Sequence, residues 1–186
     1  MAITLVAAVT TDDPPQIAAT GNTYGTLAEA VAYLENRYGG GCFSVESEEQ
    51  KQLALAAMRV LNSKRFIGVR ATTDQPNEFP RISENIGSCW TVVDYNALAS
   101  TYDLYTARGE RITSRQIPTR LKNAQFEIMY QLHKDAENER SNWVAVSKRT
   151  GKSFETRYER KGPGHLSVEA LEWLAPLLLS SLGAMR

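Results

Sequence analysis

Apolar residues recur at helical spacing in the first long segment of the chain. This segment opens at Thr26, and Glu29 follows three residues later in the pattern of a capping box. Its apolar positions are Leu27, Ala30, Val31, Leu34 and Tyr38. Three glycines at 39–41 are typical of a helix end. The pattern predicts a first helix between Thr26 and these glycines.

A second helix is predicted shortly after the first. Ser47 and Gln50 repeat the capping pattern, and Gly68 lies just beyond the last periodic residue. The inner stripe consists of Leu53, Ala57, Val60 and Leu61.

The third predicted helix is apolar on two faces. Pro118 is placed at its first helical position, where the missing N–H costs nothing. One face carries Ile117, Leu121, Ala124, Ile128, Leu132 and Ala136, and the other carries Phe126, Met129 and Tyr130. A helix of this kind lies at the centre of its bundle or contacts a neighbouring subunit.

The hydrophobic period changes from helical to alternating after residue 142. Two short strands around a turn at Thr150 and Gly151 are predicted from Val144, Val146, Phe154, Thr156 and Tyr158. The β-branched N-terminus predicts an extended arm or an edge strand. Residues 92–105 could form a short helix, and a turn is expected near Gly109.

The closing segment is the most apolar part of the sequence. Ser167 is a predicted N-cap, and Pro176 should kink the helix or divide it in two. The apolar band consists of Leu171, Trp173, Leu174, Leu177, Leu178 and Leu182. Two interpretations stay open: the helix completes its own bundle, or it reaches out to a partner. The stretch is too short to span a membrane.

These elements predict one domain over residues 1–186. The expected fold class is mainly α: a small helical bundle with one β-hairpin between the last two helices and an extended N-terminal arm. The start of the chain has no basic region before its apolar residues, so no signal peptide is predicted.

Charge adds one candidate surface. The chain has 21 basic and 21 acidic residues, and this balance counts against a protein whose main function is to bind nucleic acid. Cations nevertheless crowd into the predicted hairpin, at Lys148, Arg149, Lys152, Arg157, Arg160 and Lys161. The hairpin is either a solvated finger or a surface that meets an acidic partner or a DNA backbone.

The sequence contains no recognisable catalytic constellation. Cys42 and Cys89 lie far apart, and His133 and His165 are the only imidazoles, so no metal site is expected. The "TGKS" stretch lacks the first glycine of a P-loop, because Val146 stands at that position. We therefore predict a protein without catalytic residues and without a cofactor, not an enzyme.

Several stretches together resemble a known family. They are "NTYGTLAEAVAYLENRYG", "EEQKQLALAAMRVLNS", "EFPR", "IPTRLKNAQFEIMYQL" and "LSVEALEWLAPLLL". In this order they resemble the tailed-phage head-tail connector or adaptor proteins, often labelled DnaT-like single-stranded-DNA-binding proteins. Phe79 stands where family members often have tryptophan. The resemblance covers most of the chain except about residues 82–104, which look like an insertion.

The resemblance implies a structural neck protein of the virion, made in the host cytoplasm. Such subunits assemble as a homo-oligomeric ring, probably a dodecamer, under the portal protein. The ring extends the channel for double-stranded genomic DNA and joins the tail or its stopper, with no membrane partner. The apolar band would then contact portal, and Lys148, Arg149, Lys152 and Arg157 would face the DNA channel or an acidic partner. The alternative function is a DnaT-like accessory of replication that binds single-stranded DNA.

Overall fold

Four helices and six strands make up the regular structure in the described part of the chain. The computed structural model describes residues 2–10, 17–18, 20–35, 43, 47–72, 75–82, 104–106, 109–112, 116–137, 143–150, 153–160 and 166–178. Within these residues the fold is mainly α, as predicted, and the strands form three antiparallel pairs.

Helix α1 spans Leu27–Leu34 and begins with the predicted capping box. The Thr26 hydroxyl accepts from the Glu29 N–H at 3.2 Å, and the Glu29 carboxylate accepts from the Thr26 N–H at 2.8 Å. These two bonds satisfy N–H groups that have no partner inside the helix. The helix ends with Glu35 as its C-cap. Tyr38 and the glycines at 39–41 lie outside the described residues.

Helix α2 spans Glu48–Asn62 and confirms the second prediction. The Ser47 hydroxyl accepts from the Gln50 N–H at 3.4 Å. The buried face consists of Ala54, Ala57, Met58 and Leu61, and Leu53 and Val60 pack beside it.

Helix α3 spans Thr119–Glu137, one residue later than predicted at its start. Pro118 precedes the helix, and its carbonyl accepts the first helical bond from the Lys122 N–H at 3.2 Å. Both predicted apolar faces are buried over the first three turns: Leu121 and Ala124 on one, and Phe126 and Met129 on the other.

Helix α3 is central, because α1, α2 and the last helix all pack against it. The apolar stripes predicted for the first three helices meet in one core, and this core also includes residues from the loops and from the last helix. Aromatic side chains from the loops join it: Phe79 packs edge-on against Tyr24 at 6.2 Å and against Phe66 at 5.0 Å between ring centroids.

Two short strand pairs were not predicted. Strand β1 (Val69–Arg70) pairs with β2 (Arg81–Ile82), and β3 (Leu104–Tyr105) pairs with β4 (Arg111–Ile112). The turn expected near Gly109 is confirmed, since Gly109 has a φ of 79° and its N–H donates to the Thr106 carbonyl. The short helix predicted over 92–105 is wrong at its end, where β3 forms; its other residues lie outside the described range. Most of the suggested insertion at 82–104 lies there too.

The predicted β-hairpin is confirmed between α3 and the last helix. Strand β5 (Trp143–Thr150) pairs with β6 (Ser153–Arg160) along its whole length, from Trp143 opposite Arg160 to Thr150 opposite Ser153. We call this pair the ribbon. Gly151 and Lys152 lie outside the described residues.

The N-terminal arm is tied to the domain by its backbone. The Ala8 N–H donates to the Thr23 carbonyl at 2.7 Å, and the Asn22 N–H donates to the Val6 carbonyl at 2.8 Å. Isolated β-bridges join Ala7 to Thr23 and Val9 to Ile17. Of the two predicted forms, an extended arm or an edge strand, no strand is formed within residues 2–10, and the arm pairs only through these isolated bridges.

Helix α4 spans only Val168–Leu174, and Ser167 caps it as predicted, with its hydroxyl 3.1 Å from the Ala170 N–H. Pro176 lies two residues past its end. The chain then turns back, and the Ile67 N–H donates to the Leu177 carbonyl at 2.9 Å. Residue Leu178 forms an isolated bridge with Phe66.

Candidate nucleic-acid interface

The motif around Tyr24 is joined to α3 by one buried glutamine. The Gln125 side-chain oxygen accepts from the Tyr24 N–H at 2.9 Å and from the Gly25 N–H at 3.1 Å. Its amide nitrogen donates to the Thr23 hydroxyl at 2.8 Å and to the Ala54 carbonyl at 3.3 Å. A side chain on Gly25 would collide with the Phe126 ring, which explains the glycine. Sequence reasoning missed Gln125, although a polar residue between two apolar faces was a signal.

The Tyr24 hydroxyl extends this network to α2 and the loop before β2. It donates to the Asn62 side chain at 2.8 Å and accepts from the Phe79 N–H at 3.2 Å. Burial raises the pKa of Tyr24 above its ordinary value, so its hydroxyl stays protonated. The Phe79–Pro80 peptide bond is cis.

The arginine of "EFPR" also has a structural role. The Arg81 guanidinium donates to the carbonyls of Ile67, Phe66 and Gly68, and at 2.5 Å to the Glu78 carboxylate. Partial burial lowers its pKa, against the opposing charge of Glu78. Tyr24 and Arg81, which belong to two of the motifs that carry the resemblance, therefore have their polar groups engaged by other parts of the chain.

A second, partly buried chain of hydrogen bonds links α1, α3 and α4. The Trp173 indole N–H donates to the Tyr33 hydroxyl at 3.0 Å, and that hydroxyl donates to the Glu127 carboxylate at 2.7 Å. The Glu127 side chain is buried. Trp173, which was predicted to contact a partner, is thus held by the hydrogen bond of its indole N–H to Tyr33 of the same chain.

A cleft of about 260 Å³ opens beside the start of α3, between the β3–β4 pair and Leu177. The Arg120 guanidinium on its wall makes two bonds to the Glu110 carboxylate, at 2.9 and 3.1 Å. The central carbon of the Arg120 guanidinium, Cζ, lies 5.8 Å from the centre of the Trp173 ring. Arg120 and Glu110 neutralise each other's charge. The cleft therefore offers stacking and hydrogen bonds to a ligand rather than a strong electrostatic potential.

Next to this cleft, the β3–β4 pair places an aromatic residue across from a cation. Tyr105 is 60% exposed and stands opposite Arg111, which is also exposed. Sequence reasoning missed this pair because residues 92–105 were assigned to a helix. The alternation around the turn at Gly109 was the available signal.

The predicted apolar partner band is divided by the fold. Leu174 and Leu177 are fully buried in the core of the chain itself. Trp173 and Leu178 are half-buried against that core, and Leu182 lies outside the described residues. Leu171 is the member with substantial exposure, at 44%, so any contact of the whole band with a partner stays a prediction.

Val168 extends the exposed part of this band. It is 68% exposed and lies three residues before Leu171, on the same side of α4. Sequence reasoning missed it because the stripe was counted from Leu171. The accessible apolar surface of α4 is therefore small and lies at its first turn.

The predicted basic residues lie on the ribbon, and its register separates them. In the strand register, Lys148 stands opposite Glu155, Arg157 stands opposite Val146, and Arg149 stands opposite Phe154. Because side chains alternate along a strand, Arg149 falls on one face of the ribbon and Lys148 and Arg157 on the other. Lys152 lies outside the described residues. The register therefore places Arg149 apart from Lys148 and Arg157, and the contact of these four residues with DNA or an acidic partner stays a prediction.

His133 lies half-buried against Phe43, with ring centroids 5.3 Å apart. His165, Cys42 and Cys89 lie outside the described residues. Across the described ranges, no group of three or more His, Cys, Asp or Glu residues is arranged to hold a metal ion. None of the described helices is both long and apolar enough to cross a membrane.

The fold and the site define a mainly α protein with one charged ribbon and a self-neutralised cleft. Residues 8–98 match the family described as "Putative DnaT-like ssDNA binding protein". The match covers just under half of the chain: the end of the arm, α1, α2, β1 and β2, and it ends before α3. Searches of curated proteins and of solved structures found no match. The DnaT-like part of the predicted resemblance is thus supported, and the phage-adaptor part stays a prediction.

Proposed function

We propose that this protein binds single-stranded DNA and acts by binding rather than by catalysis. The observation that carries the proposal is the match of residues 8–98 to a family described by that activity. This ranks the predicted alternative above the neck adaptor, which was the leading prediction.

Charge distribution is compatible with this function, although the net charge is zero. Binding of single strands combines cations along the backbone with aromatic side chains on which bases stack. The ribbon region supplies cations, and Tyr105 with Arg111 supplies an exposed aromatic residue opposite a cation. Local clusters of this kind replace the overall basic excess of a dedicated DNA-binding protein.

Fluorescence anisotropy of a labelled 25-nucleotide oligo(dT) tests the proposal directly. We expect saturable binding that is tighter than to a duplex of the same length, because stacking requires unpaired bases. The logarithm of the affinity should fall linearly with the logarithm of the salt concentration, by about 0.7 for each phosphate neutralised. Absence of binding at about 50 mM salt, or equal binding to the duplex, would contradict the proposal.

The neck adaptor is the second candidate, and one observation favours it. The first turn of α4 exposes Val168 and Leu171, and exposed apolar patches commonly mark protein contacts. In this function the subunit would form a ring, with portal on one side and the tail on the other.

Negative-stain electron microscopy of the purified chain, alone and with portal, separates the two candidates. Closed rings, or rings bound to portal, support the adaptor. A monomer that binds oligo(dT) and leaves portal unoccupied supports the single-strand-binding function.

A further inference from the structure

The ribbon has two faces of different chemistry. In an antiparallel pair, residues directly opposite each other belong to the same face, and neighbours along the strand belong to opposite faces. The observed register therefore assigns every ribbon residue to one of two sets. The first set is Trp143, Ala145, Ser147, Arg149, Phe154, Thr156, Tyr158 and Arg160. The second is Val144, Val146, Lys148, Thr150, Ser153, Glu155, Arg157 and Glu159.

All aromatic residues of the ribbon fall in the first set, which we call the aromatic face. It also holds two arginines and no acidic residue. The second set, which we call the mixed face, holds two cations and two carboxylates, and one of these, Glu155, stands directly opposite Lys148. The aromatic face thus carries two positive charges and no negative one, whereas the mixed face carries two of each.

The aromatic face repeats one juxtaposition at both ends. Trp143 stands opposite Arg160, and Arg149 stands opposite Phe154, with Tyr158 between them along β6. At about 3.3 Å per residue, the rows of Trp143 and Arg149 lie about 20 Å apart along the strand. A platform of this length has room for several nucleotides.

We propose that the aromatic face of the ribbon is the stacking surface for single-stranded nucleic acid, with its two arginines contacting phosphates. This inference rests on the proposed binding of single-stranded DNA, and it places the contact outside the segment that matches the family. Aromatic residues stack on bases of any kind, and arginine adds both charge and stacking. An acidic protein could contact the same cations, so the experiments below compare oligo(dT) with an abasic strand and with polyglutamate.

Two matched pairs of substitutions test the location. The double variant Arg149→Gln, Arg160→Gln removes two cations from the aromatic face, and Lys148→Gln, Arg157→Gln removes two from the mixed face. Both change the net charge equally. We expect the first pair to weaken oligo(dT) binding at least tenfold and to lower the salt slope by about 1.4. The second pair should change the affinity less than threefold.

Stacking is tested by Phe154→Leu and Tyr158→Leu, with Val146→Leu on the mixed face as control. Each aromatic substitution should weaken binding about 5- to 140-fold, which is the range for one base–aromatic stack. An abasic oligonucleotide of equal length should bind the native chain more weakly by a similar factor. That measurement needs no variant, so the proposal stays testable if a leucine variant fails to fold.

The outcomes separate the two proposals. If the native chain does not bind oligo(dT), the proposed function fails, and this inference fails with it. If the native chain binds but both cation pairs have equal effects, the aromatic face is wrong while the proposed function stands. An abasic strand that binds as tightly as oligo(dT) would also overturn stacking. Polyglutamate that binds as tightly as oligo(dT) would overturn it too and would indicate an acidic protein as the partner.

Discussion

Helix α3 holds its neighbours by two different kinds of contact. On the N-terminal side, the chain around Tyr24 is attached through the Gln125 amide, whose oxygen and nitrogen together serve four groups. On the C-terminal side, α4 and the turn after it are attached through buried Ala170, Leu174 and Leu177. The first joint is polar and directional, and the second is mostly apolar.

The difference teaches which substitutions each joint tolerates. A buried polar joint depends on the position of individual atoms. A donor that is hydrogen-bonded to water in the unfolded state loses that bond on folding, and without its acceptor it gains none in return. An apolar joint depends on filled volume, so a side chain of similar size can replace another at small cost. A substitution that keeps only the size of the side chain should therefore preserve the C-terminal joint and destabilise the N-terminal one.

The largest expected effect is at the polar joint. Gln125→Leu keeps the volume but leaves the Tyr24 and Gly25 N–H groups without an acceptor. At about 1–3 kcal/mol for each, the free energy of unfolding should fall by about 2–6 kcal/mol. Urea denaturation measures it. Gln131→Leu, on a half-buried side of the same helix, is the matched control and should cost less than about 1 kcal/mol. Equal losses at both sites would remove the contrast between the joints.

At the apolar joint, size should decide the result. Leu177→Ala should lower the free energy of unfolding by about 2–5 kcal/mol, because Leu177 is fully buried. Leu177→Met should cost less than about 1.5 kcal/mol. A chain truncated before residue 177 should lose at least as much as the alanine variant. Chemical denaturation of all three checks this, and a truncated chain of native stability would show that the C-terminal joint is dispensable.

A smaller effect is expected from Tyr24→Phe, which removes only a hydroxyl from the polar joint. The loss should be about 1–3 kcal/mol, since Asn62 and the Phe79 N–H each lose a partner. Burial raises the pKa of Tyr24, so its contribution is complete below the unfolded tyrosine pKa of about 10 and declines as the pH rises further. The difference in stability between native chain and variant should narrow from pH 8 to pH 11. Exposed Tyr105→Phe serves as control, and a difference that widens with pH would contradict the burial argument.

The smallest effect is expected at the surface beside the polar joint. Although burial opposes it, hydrogen bonds from Lys122 at 2.6 Å and from Thr26 hold the pKa of Glu29 below its ordinary value. Its contribution is therefore present above about pH 4.5 and is lost as the pH falls through the lowered value. Glu29→Gln should cost about 1 kcal/mol or less at pH 7 and still less at pH 3.5.

A double-mutant cycle with Lys122→Gln, followed by thermal unfolding, isolates the part of the Glu29 effect that belongs to the ion pair. A coupling that persists unchanged at pH 3.5 would contradict the charge-based explanation.

Much of the secondary structure was predictable because its causes are local. The cap of α1 joins Thr26 to a residue three positions away, and the same is true of Ser47 and Ser167. The ribbon follows from alternation on both sides of a short turn. The prediction was wrong at residues 104–105, where β3 depends on a pairing partner that periodicity within a single segment cannot reveal.

Sequence by itself determined the helices α1 to α4, the ribbon and the mainly α class, because period and capping act within a few residues. Tertiary structure decided which side chains are buried and which residues share a face. Gln125 became the centre of a buried joint only when residues about a hundred positions away met it. Leu177 became core because the chain turned back onto Ile67 after Pro176. The cations of the ribbon were divided between two faces by the strand register, and a count of charges along the chain does not contain that division.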